Sequence, residues 1–199
     1  MDTADETPST EADPGFGRAR VEAISDGVMA VVITLLALEI DIPTPAPGQT
    51  LWQAFPKETL GEIGIFLLSF FLIARFGLLH HRLFRDLPEF VPTRLVIVNF
   101  GFLASLCLMP FATTTYSQNA ADMTALVIYS IVITTTIIFL TTLFHLAGNH
   151  WWRRSLLSAA IALLAIPVGI VFGAQYAPFV WVWLFVVGDG QLKSMRQRR

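Results

Sequence analysis

The sequence is poor in charge and nearly free of cysteine. Of its 199 residues, 14% are Asp, Glu, Lys or Arg, while 54% are hydrophobic. A water-soluble domain of this length has too little interior to hide that much apolar surface, so an integral membrane protein is indicated. The one cysteine, Cys107, excludes an internal disulfide and reads as a small apolar packing residue. There is no cysteine pair at metal-ligand spacing, no P-loop, no Gly-x-Ser-x-Gly and no His-Glu-x-x-His, so an enzyme is not expected. Bases are missing from the first fifteen residues, MDTADETPSTEADPG, which hold five acids and two prolines. That composition gives a disordered acidic tail, assigned to residues 1–17. It also excludes a signal peptide, which needs a positive start and an apolar run.

What the sequence has in quantity is long apolar runs. Breakers and charged links separate them into six expected helices: about 20–40, 60–82, 93–115, 123–146, 156–173 and 176–187. The third ends near the Pro110–Phe111 step, and Pro167 interrupts the fifth. The fold class is therefore all-α and polytopic, with a six-helix membrane domain over residues 18–190 and a basic tail over 191–199. The thirteen bases test the topology. With a cytoplasmic N-terminus, eleven lie inside, Lys57 lies outside and Arg75 lies within the second helix, expected to snorkel toward the cytoplasmic interface. Both termini are then cytoplasmic in a multi-pass cell-membrane protein, and the basic C-terminus anchors to anionic lipid. Nucleic acid is not an expected partner.

The first run, RVEAISDGVMAVVITLLALEI, carries most of the information. Twenty-one residues rise about 30 Å, the thickness of a bilayer core. Arg20, Glu22, Ser25 and Asp26 crowd its start, and Glu39 and Asp41 close it. An intramembrane carboxylate is costly, so Asp26 is either paired within a packed helix start or functional. Gly27, Val31, Leu35 and Leu38 recur at spacings of four, four and three and share one helix face. On spacing alone, that face is an ordinary helix–helix seam or something more specific.

The combination of Arg20, Ser25, Asp26, Gly27, Ala30, Thr34, Leu35, Leu36, Leu38 and Glu39 resembles the first helix of the transmembrane protein 175 family. These are endosomal and lysosomal potassium channels with short prokaryotic single-unit relatives. Ile24 stands where the family usually has Phe, and Val31 where it usually has Ile. Ser69-Phe70 with His80-His81 looks like the family's second helix, and Asn99 with Pro110-Phe111 and Thr113 like its third. Gly77 stands where relatives usually have Trp, which implies a looser corner there.

The resemblance implies a homotetramer whose first helices surround a central pore. Val31, Leu35 and Leu38 would form its apolar constriction, and Thr34, with Val31, would set ion selectivity. Thr-Val-Gly-Tyr-Gly is absent, so selectivity would come from neck width, the threonine layer and dehydration rather than from a carbonyl cage. Potassium is then moderately preferred over sodium. It is the permeant ion, with no cofactor and no other metal expected. Without a voltage-sensor arginine ladder or a soluble sensor domain, a leak-like passive channel is expected.

A second group, Arg20, Ser25, Asp26, His80, His81 and Asn99, gathers at the cytoplasmic ends of the first three helices. A buried charge needs a partner, and Arg20 with Asp26 are the complementary pair, directly or through histidine and asparagine. This group is read as a structural network holding the pore helix, with a histidine proton relay as the functional alternative. The rival function is a proton- or cation-coupled transporter using Asp26, His80 and His81, although no inverted repeat accompanies it.

Overall fold

The computed structural model describes residues 15–40, 44–50, 57–149 and 152–184, apart from the side chains of 57, 58 and 152–155. The acidic tail over residues 1–14, Asp41 and everything beyond residue 184 lie outside the described residues, including the basic tail.

The first three helices are α1 (Arg18–Leu38), α2 (Lys57–Arg85) and α3 (Thr93–Cys107). They are followed by α4 (Met109–Gln118), α5 (Met123–Leu146) and α6 (Trp152–Phe172). A 3-10 turn at Ala174–Tyr176 leads into helical residues 178–184. Four stretches are long and apolar enough to cross a membrane: α1, Thr59–Arg85, Thr93–Gln118 and α5. Leu156–Phe172 is a shorter apolar helix. Of the expected sixth span, only the part up to residue 184 is described.

The third span is two helices rather than one. Pro110 has no N–H to offer the Leu106 carbonyl, so an unbroken helix there would leave that acceptor empty. The chain breaks at Leu108 instead, whose own N–H turns back to Leu106 and Ser105. Pro110 then falls in the first turn of α4, where no donor is required. The ends of α5 are closed by local chemistry. The Asp122 carboxylate accepts from the N–H groups of Thr124 and Ala125 at 2.6 and 3.3 Å. Gly148, at φ +69°, reverses the chain, with Gly148 N–H on the His145 carbonyl and Asn149 N–H on that of Phe144.

Phe16 and Gly17, expected in the disordered tail, are instead a strand, β1. They pair antiparallel with β2, Phe90–Val91, in the α2–α3 link. Arg18 extends the clasp: its N–H donates to the Glu89 carbonyl at 2.8 Å, and its guanidinium to the carbonyls of Leu87 at 2.5 Å and Arg85 at 3.2 Å. Gly15 is required here. At φ +67°, any Cβ would sit 2.9 Å from the Val91 carbonyl oxygen.

The core lies among α2 to α6 around Phe84, Phe102, Tyr116, Tyr129 and Trp181, all fully buried. Tyr116 donates to the Ala174 carbonyl at 2.6 Å, and Trp181 Nε1 to that of Ala162 at 3.3 Å, which fastens the C-terminal segment to this centre. Arg75, expected to snorkel, is partly buried. Its guanidinium reaches the Leu184 carbonyl, so its charge is met by a backbone dipole inside the protein. Helix α1 is the peripheral span, packed on α2, α3 and α4 by one face only.

Candidate functional site

Helix α1 has a packed face and an open one. Val21, Ser25, Met29, Val32 and Leu36 are buried, at spacings of four, four, three and four. Met29 fills the corner left by Gly77, its Sδ 3.3 Å from where a Cβ would sit. On the open side, Val31 is 56% exposed, Leu35 45% and Leu38 80%, with Gly27 beside them. A stripe of large aliphatic side chains thus has no cover among the described residues. Thr34 is also exposed, and its hydroxyl donates to the Val31 carbonyl at 2.8 Å. That bond uses the hydroxyl hydrogen and leaves oxygen lone pairs directed away from the helix backbone.

Behind the packed face runs a buried polar bridge. Ser25 Oγ donates to the Val21 carbonyl at 2.9 Å and accepts from Asn99 Nδ2 at 2.9 Å. Asn99 Oδ1 lies 2.8 Å from His80 Nε2, and an amide oxygen only accepts, so Nε2 carries the hydrogen. The His80 ring stacks between Phe84 and Phe102, at centroid separations of 4.3 and 5.4 Å. Its Nδ1 is buried without a hydrogen-bond partner. Three helices, α1, α3 and α2, are joined by this one chain of side chains.

The other members of the expected network stand outside it. Arg20 and Asp26 are exposed and form no ion pair with each other. Six residues apart on a helix, they are about 9 Å apart along the axis and about 120° apart around it. Arg20 instead borders an apolar groove of about 520 Å³ with Phe16, Ile24 and Phe100. His81 pairs with Glu22, Nδ1 to Oε1 at 2.9 Å, with its side chain 57% exposed. The donor atoms of Glu22, Asp26 and His81 lie within 4.8 Å of one another, the one such group among the described residues. The Glu22–His81 pair and the one-turn spacing of Glu22 and Asp26 on α1 account for that proximity.

Sequence reasoning overlooked a second buried network. Ser69 Oγ lies 2.6 Å from the Tyr129 hydroxyl and 2.9 Å from Thr113 Oγ1, which also reaches the Met109 carbonyl at 2.7 Å. Its signal was Tyr129, the one aromatic hydroxyl in an otherwise aliphatic and threonine-rich α5.

The assembly of helices and the two buried bridges define a multi-pass helical membrane protein. The family model "Endosomal/lysosomal potassium channel TMEM175" matches residues 20–110, which include α1 from Arg20 onward and the bridge residues Ser25, His80 and Asn99. By that match, over a little under half of its length, and by the relatives below, the chain resembles the TMEM175 family.

A potassium channel of Streptomyces collinus is 30% identical over 118 residues, covering 57% of this chain and 56% of that one. A potassium channel of a Chryseobacterium species is 31% identical over 96 residues, 48% of this chain and 47% of that one. The mouse endosomal/lysosomal proton channel TMEM175 is 34% identical over 116 residues, 54% of this chain and 23% of that one. The chain thus spans about half the length of the bacterial relatives and less of the mouse protein. The crystal structure of a lysosomal potassium-selective TMEM175 homologue from Chamaesiphon minutus superposes with a TM-score of 0.75. It covers 86% of this chain and 96% of that chain at 22% identity, a likeness of fold.

Proposed function

We propose that the chain is a passive cation channel preferring potassium over sodium, built as a homotetramer with α1 of each subunit around the axis. The observation that carries this reading is the open face of α1: Val31, Leu35 and Leu38 are exposed while Val32 and Leu36 are each 1% exposed. A ring of such faces makes an apolar neck that ions cross only by shedding water, which favours the larger, more weakly hydrated cation. The Thr34 oxygens add a polar layer within the same span. The Ser25–Asn99–His80 bridge fixes the helix from behind. In this reading the N-terminus is cytoplasmic and the protein sits in the cell membrane. Two bacterial relatives carry the name potassium channel, and the mouse relative carries the name proton channel. The transporter alternative draws no support from the geometry, because Asp26 and His81 are exposed and His80 is bonded to Asn99 instead.

The test is bilayer recording of purified protein under a potassium–sodium gradient. Leu35→Ala and Leu35→Asn should raise conductance and admit more sodium. Leu36→Ala should instead leave selectivity unchanged and impair folding, by about 2–5 kcal/mol on the scale of soluble cores. Equal effects of the two positions on selectivity would remove α1's open face from the pore.

A further inference from the structure

Helix α1 ends in a residue that is locally the wrong choice. The carbonyl end of a helix carries partial negative charge and favours Lys or Arg. The last turn of α1 has no base, and its C-cap is Glu39, so carboxylate and helix end add their negative charge. Glu39 is exposed, and its carboxylate has a definite place: Thr114 of α4 donates its hydroxyl to Oε2 at 2.7 Å. A partly buried acid, Glu62 of α2, borders the same small cleft. Between Arg20 and Arg75 the sequence has a single base, Lys57. Glu39 follows Leu35 by four residues, so it lies about 6 Å further along the helix and about 40° from it around the axis.

We propose that Glu39 is a conductance-determining residue. Held by Thr114 just beyond the Leu35 neck, it raises the local concentration of monovalent cations at that mouth, the outer one in the orientation proposed above. This rests on α1 lining the pore. Each subunit brings one Glu39 and one helix C-terminus to the same height, so the negative potentials add. Such a field acts over about 30 Å at 0.01 M salt and only about 3 Å at 1 M. Its effect is therefore large in dilute potassium and absent in concentrated potassium. The effect comes from the charge of Glu39 and not from its bond to Thr114.

The experiment is single-channel recording of the full chain in about 0.01 M and about 1 M KCl, the two ends of that screening range. Glu39→Gln should lower conductance at least about two-fold in the dilute solution, leave it unchanged in the concentrated one, and leave potassium–sodium selectivity alone. Glu39→Asp, which keeps the charge, should follow the unmodified protein. Thr114→Val should keep the salt dependence of the unmodified protein.

A structural role for the Thr114–Glu39 bond predicts something else: Glu39→Gln and Thr114→Val acting alike, with a loss independent of salt. That result, or unmodified low-salt conductance in Glu39→Gln, overturns the proposal. Should Glu39→Gln fail to assemble, the unmodified channel still decides. Its conductance should fall less than proportionally as KCl is diluted, and a proportional fall overturns the proposal. Leu35→Asn, recorded alongside, separates the two readings. Altered selectivity there with a silent Glu39→Gln removes Glu39's role alone. If both variants are silent, the pore assignment falls, and this proposal with it.

Discussion

Asn99 and His80 meet at one buried hydrogen bond, Nε2 to Oδ1 at 2.8 Å, and the same Asn99 amide donates to Ser25 on α1 at 2.9 Å. An asparagine suits this place because its two ends differ: one accepts from the ring and the other donates to a hydroxyl. Asn99→Leu should therefore strand the His80 N–H and remove one bond from Ser25 together. In a membrane setting each lost bond is worth about 0.6–2 kcal/mol, and the two losses should lower the midpoint of thermal unfolding in detergent and the yield of assembled protein. Ser25→Ala, which removes only one end, should cost less. His81→Ala serves as the control. Its partner Glu22 is near the surface and its own ring is largely exposed, so the change should stay within about 1 kcal/mol. An Asn99→Leu protein as stable as His81→Ala would show that the bridge does not hold α1.

Much of this was legible in the sequence, for physical reasons that differ by element. A run of twenty-one residues, apolar from Gly27 to Leu38 except for Thr34, and helical periodicity placed α1 to within two residues at each end. They also placed Val31, Leu35 and Leu38 on one face. Ser25, His80 and Asn99, grouped in the sequence because buried polar side chains need partners, are joined by hydrogen bonds in the structure. The pairing of Arg20 with Asp26 was argued from charge alone, and the helical phase forbids it within one chain. Asp26 and His81 each neighbour a bridge residue in sequence, and one position is about 100° on a helix, enough to turn both outward. The Phe16–Gly17 strand has no periodicity to read, since two residues pair only because the α2–α3 link is there to receive them. Pro110 announced a disturbance of the third span. Its effect, a break two residues earlier with Pro110 inside a new first turn, follows from which carbonyl loses its donor.

Asp122 gives a pH dependence with a definite sign. It lies between the membrane spans, and the backbone N–H groups of Thr124 and Ala125, with the Thr124 side chain, hold its carboxyl below the usual carboxylate range. The cap's contribution is present above the unfolded carboxyl's pKa and is lost as pH falls through the lower folded value. Acidification into that range should therefore loosen the start of α5, read as faster amide exchange at residues 124–126. Asp122→Asn keeps an accepting oxygen without the titration, so its exchange should show no such acid-dependent step. An identical acid profile in both proteins would assign the loosening to another group.

Thr34 allows the polar layer to be separated from the apolar neck beside it. Its hydroxyl hydrogen is engaged by the Val31 carbonyl, so what the side chain presents outward is oxygen lone pairs and a methyl group. In the channel proposed above, a cation entering the neck would lose water to apolar walls at Val31, Leu35 and Leu38, and a ring of threonine oxygens would return part of that coordination. Thr34→Val replaces the hydroxyl by a methyl of similar size. It removes the oxygens without widening the neck, so potassium conductance should fall and the preference over sodium should shrink. Thermal stability should change little, because Thr34 is exposed and its one hydrogen bond is to its own helix, whose carbonyl stays paired. Thr34→Ser keeps the oxygen and should retain most of the preference. The comparison is made on reversal potentials under a potassium–sodium gradient. If Thr34→Val and Thr34→Ser shift them equally, the methyl rather than the oxygen matters at this height, and discrimination would rest on neck width alone.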